Sequence, residues 1–378
     1  TLQLTADGNG VYMQGRGASP TGVYPFLDRW DLDTNETERL WQSVDPHFEQ
    51  VVLLWDNSGN QLMTYRQSPT EVPNYWRRNL DTGTAEPLTD FTDPLPWFAD
   101  IIRRVVRYRR ADGVELSATL YLPPGHDPAS QGPLPTLLWA YPQEYKSRAA
   151  AAQVTTAENV FSRPYGYSPL FLLTQGYAVL MSPTMPIIGE ADQEPNDTYI
   201  QQLTASAEAA VHYLVNEGIS QPGQIAIGGH SYGAFTAANL LVHTDLFRAG
   251  IANSGAYNRT PTPFGFQGEQ RTFWDASQVY MTMSPFANAN AIHEPLLLIH
   301  GAEDENAGTY PSQSKRLFGA LQGLGGTVRW VELPAEGHSY QSRQAIGHTL
   351  WEMTRWLDLH VKYVDSNQGE KPNRLMEH

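Results

Sequence analysis

Five residues, Gly229-His230-Ser231-Tyr232-Gly233, constrain this chain more than any others because of what flanks them. Before them runs the short apolar stretch Gln224-Ile225-Ala226-Ile227-Gly228, and after them the helix-forming run Ala234-Phe235-Thr236-Ala237-Ala238-Asn239-Leu240-Leu241-Val242. A G-x-S-x-G by itself is a weak pattern, but strand, G-x-S-x-G, helix describes a nucleophile elbow. A serine on so tight a turn is forced into a strained backbone, and glycines two residues to either side let strand and helix approach. Its hydroxyl then stands free at the sheet edge, with a helix N-terminus beneath it to favour developing negative charge.

A serine alone is a poor nucleophile, so a base and an orienting acid must follow it. In the α/β-hydrolase arrangement the chain order is Ser, Asp or Glu, His, each on a loop after a strand. Pro295-Leu296-Leu297-Leu298-Ile299-His300 reads as a buried strand, and Gly301-Ala302-Glu303-Asp304 turns out of its end. A second strand, Val328-Arg329-Trp330-Val331-Glu332-Leu333, leads into Pro334-Ala335-Glu336-Gly337-His338. The spacing predicts Ser231 as nucleophile, Asp304 as acid and His338 as base, with Glu303 and Glu305 as rivals for the acid. His300 reads as a structural residue at its strand end. His212, His243, His293, His348 and His360 fall on helices or connections and read as packing or surface residues. The chain has no cysteine and no H-E-x-x-H, and no clustered spacing argues for a metal; no cofactor is expected.

A tetrahedral intermediate also needs an oxyanion hole. One donor is expected from the backbone N–H of Tyr232, the residue after the nucleophile. The other should follow an early strand. Pro135-Thr136-Leu137-Leu138-Trp139-Ala140 is such a strand, and the phenol of Tyr141 just beyond it is a candidate; the alternative is a tyrosine packed under its loop.

The first hundred residues have a different texture, with short alternating runs between polar turns, as in Val51-Val52-Leu53-Leu54-Trp55, Asp56-Asn57-Ser58-Gly59-Asn60 and Gln61-Leu62-Met63-Thr64-Tyr65. They read as antiparallel hairpins. They also repeat: Pro25, Arg29, Leu32, Asp33, Thr34, Glu38 and Leu40 recur as Pro73, Arg77, Leu80, Asp81, Thr82, Glu86 and Leu88. Ser19-Pro20-Thr21 recurs as Ser68-Pro69-Thr70 with a slip of one residue. A β-rich period near 50 residues is a propeller-blade signature. Two blades cannot close a ring and would leave edge strands bare, so the chain is expected to be the C-terminal part of a longer protein. The domains expected are residues 1–100 as the last blades of a β-propeller, 101–363 as an α/β-hydrolase domain and 364–378 as a polar tail.

At 378 residues and 41% hydrophobic content the chain has ample core for both. No apolar run reaches the 18 residues of a membrane span. The absence of cysteine excludes disulfides and thiol chemistry and leaves cytoplasm, periplasm and plastid open to a soluble protein. No targeting segment is visible, and a chain beginning inside a domain could not show one. A net charge of −15 speaks against nucleic acid as a partner.

From about Arg103 to Tyr363 the chain resembles the catalytic domain of the prolyl oligopeptidase family of serine peptidases. Gly228-Gly229-His230-Ser231-Tyr232-Gly233-Ala234-Phe235, Ser254-Gly255-Ala256-Tyr257-Asn258-Arg259-Thr260 and Thr262-Pro263-Phe264-Gly265-Phe266-Gln267 resemble the glutamyl endopeptidase subgroup, as do Pro186-Ile187-Ile188-Gly189-Glu190 and Leu298-Ile299-His300-Gly301. Most of the wider family carries two glycines where this chain has Gly233-Ala234, a departure the glutamyl subgroup shares. The resemblance implies Ser231, Asp304 and His338 as the triad and Tyr141 as an oxyanion donor. It also implies a propeller ahead of the hydrolase domain that limits substrates to peptides, and a missing propeller portion that stays bound if it is a separate chain.

Cleavage after glutamate sets a problem for so acidic a protein, because the specificity pocket then needs local positive charge. Arg259 follows the strand-like Ala249-Gly250-Ile251-Ala252-Asn253, and a planar guanidinium can hold a carboxylate bidentately. Arg259 is therefore the expected carboxylate partner, with Arg271, Lys146 and Arg148 as the other candidates and a structural ion pair as the alternative role. The acidic stretch Gly189-Glu190-Ala191-Asp192-Gln193-Glu194 reads as a solvated loop near the rim of the site. The leading expectation is a serine endopeptidase cleaving peptides after Glu, with Asp second. Against it stand an esterase or acylaminoacyl-type exopeptidase on the same fold, and a fragment that only binds.

Overall fold

The apolar runs that flank the elbow and the acid become the centre of one sheet. The computed structural model describes residues 3–19, 22–152 and 157–364. These divide into two compact units, one from Thr1–Val105 with Ala152–Arg163, the other from Val106–Ala151 with Pro164–His378.

An eight-stranded sheet organises the second unit. Its strands are β1 (Ile102–Arg109), β2 (Glu115–Leu122), β3 (Thr136–Trp139), β4 (Ala178–Met181), β5 (Ile225–His230), β6 (Ala249–Asn253), β7 (Leu296–Gly301) and β8 (Val328–Leu333). They lie in the order β1-β2-β4-β3-β5-β6-β7-β8. β2 runs antiparallel to β4, and every pairing from β4 through β3 to β8 is parallel. A parallel strand covered on both faces reads as continuous apolar sequence rather than alternation. β6 and β7 obey this literally, since all of their residues are buried.

Helices cover the sheet. In α1 (Tyr199–Asn216) the buried residues Tyr199, Leu203, Ser206, Ala207, Ala210, Val211 and Leu214 recur every three or four positions, one helical face. α2 (Tyr232–His243) buries every residue from Tyr232 to Leu241. Ala234, Ala237 and Ala238 let it sit close in the interior. α3 (Ser312–Gly323) and α4 (Arg343–Leu357) complete the layers, and α4 is capped by Ser342, whose Oγ accepts from the Ala345 N–H at 3.2 Å. This is an α/β-hydrolase fold. Its ligand-binding edge is the carboxyl end of the parallel strands, where Ser231 and the loops holding Asp304 and His338 all emerge.

The first unit is built differently. Two four-stranded antiparallel meanders follow one another: Gln3–Leu4, Gly10–Gly15, Phe26–Asp31 and Thr37–Gln42, then Phe48–Leu54, Gln61–Gln67, Asn74–Asn79 and Thr84–Pro87. They fit propeller blades. The sequence repeat runs over the third strand of each, the turn that leaves it and into the fourth strand. Asp31 accepts from the amides of Asp33 and Thr34, and Asn79 accepts from those of Asp81 and Thr82, the same turn built twice. The second meander holds a buried polar knot, in which Arg78 grips Glu49 at 2.5 and 2.6 Å and Thr64 donates to the same carboxylate at 2.5 Å. Of the repeat noted in the sequence, Pro20 and Thr21 lie outside the described residues, as do residues 365–378 of the polar tail.

Candidate active site

Ser231 occupies the positive-φ position that the elbow demands, at φ 57° and ψ −116°. Such a backbone costs on the order of 1–3 kcal/mol and persists only where the surroundings enforce it. The enforcement is visible. A Cβ on Gly229 would meet the Gly233 carbonyl carbon at 2.3 Å, and one on Gly233 would meet the Ala140 carbonyl oxygen at 2.2 Å. The Ser231 N–H is tied to the Asn253 carbonyl on β6 at 2.8 Å.

Asp304 is buried, whereas its rivals Glu303 and Glu305 are exposed. His338 Nδ1 lies 2.8 Å from Asp304 Oδ2, and the Asn306 amide donates to Oδ1 at 2.9 Å. The same Oδ2 receives His300 Nε2 at 2.9 Å and the Thr309 hydroxyl at 3.2 Å. Burial works to raise the pKa of Asp304, but the hydrogen bonds from His300 and His338 outweigh it and hold the carboxyl down at about 2. With Nδ1–H engaged by the acid, the other imidazole nitrogen of His338 is the one free to act as base.

Two features hold the loop of His338 against that of Asp304. Gly301, at the end of β7, lets the base loop cross, since a Cβ there would strike the carbonyls of Gly337 at 2.1 Å and Glu336 at 2.3 Å. Glu336 in turn anchors that loop by accepting from the amides of Gln341 and Ser342. The ring of His230, the residue before Ser231, lies 4.7 Å from that of His338, centroid to centroid. Burial, and next the neighbouring His338, push the pKa of His230 down to about 4. Its Nδ1 meets the Tyr167 hydroxyl at 3.3 Å. None of His212, His243, His293, His348 and His360 bonds to Asp304.

On the other side of the elbow, Tyr141 follows β3, half exposed, with its ring edge-on to Tyr232 at 5.8 Å. Burial of the part that is covered raises its pKa, which keeps the phenol protonated and able to donate. The Tyr232 N–H belongs to the first turn of α2, where a helix offers no internal acceptor. Among the described residues, no group of three or more His, Asp or Glu could hold a metal ion.

The four candidate cations fare differently. Lys146 pairs with Glu194 at 2.7 Å, and Arg148 lies near Glu190 at 3.6 Å and Asp112 at 3.7 Å. Arg271 is held by Glu269 and Asp197, each at 2.8 Å. Arg259 is only 4% exposed, yet among the described residues it has no ion pair, and its Nε has no hydrogen-bond partner. Its guanidinium lies over aromatic rings, 4.4 Å from the centroid of Phe235, 4.7 Å from Phe266 and 5.6 Å from Tyr232. Its Nη1 comes within 3.8 Å of a Cβ built on Gly308, next to the Thr309 that bonds Asp304. The cation therefore sits between the elbow helix and the acid loop, and its burial lowers its pKa.

With this geometry in place, comparison with known proteins is specific. A model of the prolyl oligopeptidase family matches residues 200–363. The chain carries a prolyl oligopeptidase family domain. A model of X-Pro dipeptidyl-peptidase (S15 family) also matches residues 112–261. A protein from Oryza sativa subsp. japonica named a probable glutamyl endopeptidase, chloroplastic, is 49% identical over 92% of this chain and 38% of its own length. The Arabidopsis thaliana protein of the same name is 47% identical over 98% of this chain and 40% of its own. The chain thus spans about two fifths of the length of these relatives. Among solved structures, Porphyromonas gingivalis dipeptidyl peptidase 4 superposes with a TM-score of 0.75 at 17% identity, over 95% of this chain and 49% of that one. Pyrococcus horikoshii acylaminoacyl peptidase gives 0.67 at 17% identity, over 100% and 58%. Both share the fold. No helix among the described residues is long and apolar enough to cross a membrane.

Within this prolyl oligopeptidase frame, three side chains make contacts that the sequence reading did not anticipate. His300 bonds to the acid it precedes, a link signalled only by a histidine four residues before an aspartate. His230 borders the base, which no local pattern announces. Glu144 accepts the Tyr232 hydroxyl at 2.7 Å, and its strand Gln143–Tyr145 lies beyond Tyr141 in the same loop.

Proposed function

We propose that this chain carries the catalytic part of a serine endopeptidase that cleaves peptides after glutamate, with aspartate second. Ser231 attacks the scissile carbonyl while His338 takes its proton; Asp304 holds the imidazole in the tautomer that can accept it. The oxyanion of the tetrahedral intermediate is met by the Tyr232 N–H and the Tyr141 phenol. His338 returns the proton to the leaving amine, which departs with the C-terminal fragment. Water then repeats the attack on the acyl-serine through the same base, releasing the N-terminal fragment and restoring Ser231.

The observation that carries the specificity is Arg259. A guanidinium removed from water without a partner costs several kcal/mol, and three other basic side chains considered for the role are neutralised by neighbours. A buried, unpaired cation beside the elbow is the complement of a substrate carboxylate. The side chain before the scissile bond is the part of a peptide that lies next to the nucleophile, so the reading assigns Arg259 to that position. The names of the two plant relatives agree with this reading. The rest of a propeller, supplied by chain outside this sequence, is the partner that would restrict entry to peptides.

The test is a panel of quenched peptides differing only in the residue before the cleaved bond. Cleavage after Glu, abolished by Ser231→Ala, is the expected result. Arg259→Met should lower kcat/KM for the Glu peptide by about 10²–10³, as for loss of one side of a buried charge pair, and leave a Gln peptide nearly unchanged. Ester turnover without peptide cleavage would move the assignment to a general hydrolase, and an unchanged Glu preference in Arg259→Met would remove Arg259 from the pocket.

A further inference from the structure

An unpaired guanidinium survives only if nearby carboxylates are kept from it. Glu144 is the one whose charge acts on Arg259 and which is also fastened elsewhere. Its Oε1 accepts the Tyr232 hydroxyl at 2.7 Å. Gly268 is fitted against it, since a Cβ there would meet the Glu144 Cβ at 2.8 Å and Cγ at 2.9 Å. Tyr232 is fully buried and fixed in turn: its ring stacks on Phe235 at 5.4 Å and neighbours Tyr199 at 6.2 Å. The same ring faces Arg259. One tyrosine thus touches both charges and keeps them apart, and Glu144 and Arg259 form no ion pair.

We propose that Glu144 is a positioning residue for specificity: tethered to the Tyr232 hydroxyl and packed against Gly268, it is withheld from Arg259, which leaves the guanidinium vacant for the substrate carboxylate. This rests on the reading of Arg259 given above. The tether does two things. It satisfies a half-buried carboxylate that would otherwise seek the nearest cation. It also leaves a negative charge close to the pocket, where it opposes an entering carboxylate and so sets how tightly Glu is held. Tyr232 then serves the site twice, through its N–H at the oxyanion and through its hydroxyl at the pocket.

The two functions separate in a double-mutant cycle read with paired peptides, Glu or Gln before the scissile bond. Tyr232→Phe keeps the ring and the backbone N–H but frees Glu144 to pair with Arg259. The ratio of KM for the Glu peptide to KM for the Gln peptide should rise about tenfold. Glu144→Gln keeps an acceptor for the hydroxyl and removes the competing charge; it should lower KM for the Glu peptide several-fold. The double variant should return to the Glu144→Gln value, since no carboxylate is left to release. A raised KM that persists in the double variant overturns the proposal. So does a Glu144→Gln enzyme whose KM for the Glu peptide is unchanged or raised, a result available even if Tyr232→Phe fails to fold. If Arg259→Met abolishes the Glu preference while the cycle shows no coupling, only the role of Glu144 falls. If Arg259→Met leaves the preference intact, the underlying reading falls instead.

Discussion

Asp304 and Arg259 are both buried charges in one site, and the protein treats them in opposite ways. Around Asp304 every oxygen is occupied: His338, His300 and Thr309 meet Oδ2, and the Asn306 amide meets Oδ1. Around Arg259 there are aromatic faces and no counter-ion among the described residues. A charge that must hold still during chemistry is satisfied by the protein itself, because preorganised dipoles need no rearrangement as the reaction proceeds. On the reading proposed for Arg259, a charge that chooses a substrate is left for that substrate to satisfy. On that reading, the difference between the two is a division between catalysis and recognition.

The sharpest way to break this comparison is to spoil the satisfied side. Asp304→Asn keeps the shape of the side chain but presents an amide where the His338 Nδ1–H needs an acceptor, so the wrong tautomer is favoured. A fall in kcat of about 10⁴ is expected for every substrate alike. If the loss depended instead on the residue before the scissile bond, the acid loop would be acting through the pocket, and the division drawn above would fail.

A smaller loss is expected from Tyr141→Phe. The ring keeps its edge-on contact with Tyr232 and loses only the phenolic donor. One missing oxyanion donor lowers kcat by about 10²–10³ with KM little affected. A variant with normal kcat would return Tyr141 to the alternative role of a packed loop residue. Since Tyr141 stands between elbow and pocket, the ratio of Glu to Gln cleavage is the sharper reading. It should not move.

The proposed triad is written in order and context. Each member follows a strand, strands in a buried parallel sheet are written as unbroken apolar runs, and the glycines at 229, 233 and 301 mark where loops pass too close for a Cβ. The 48-residue repeat was legible for a similar reason, since Asp31 and Asn79 close the same turn. The ion pairs that separate Arg259 from Lys146, Arg148 and Arg271 were not. Which cation is neutralised depends on Glu190, Glu194, Asp197 and Glu269, and these meet their partners only once the loops have packed. Glu194 lies far from Lys146 in sequence, and nothing in either segment announces the pair. The same holds for His230 and Glu144, whose neighbours come from other strands and loops.

Acidity offers the finest test, because the two regions should respond to it with opposite signs. His230, beside the base, has its pKa pushed from 6.5 down to about 4, by burial first. The unfolded chain therefore binds a proton that the folded one refuses, and stability present above pH 6.5 is lost as the pH falls toward 4. A shift of that size corresponds to at most about 3 kcal/mol, less what remains screened by solvent. Glu144, beside Arg259, has its pKa raised above 4.5, again by burial. Here the folded chain takes up the proton first, so stability is gained as the pH falls through the raised value. Asp304 is silent in this window, since its stabilisation is lost only below 3.8, toward about 2. Denaturant midpoints at pH 7.5 and 5 should thus fall less in His230→Gln than in the unmodified protein, and fall more in Glu144→Gln. Equal slopes in all three would mean that neither group titrates as its surroundings dictate. Slopes that moved in the same direction would place His230 and Glu144 in one electrostatic unit, and the contrast between a closed catalytic cluster and an open recognition pocket would have to be given up.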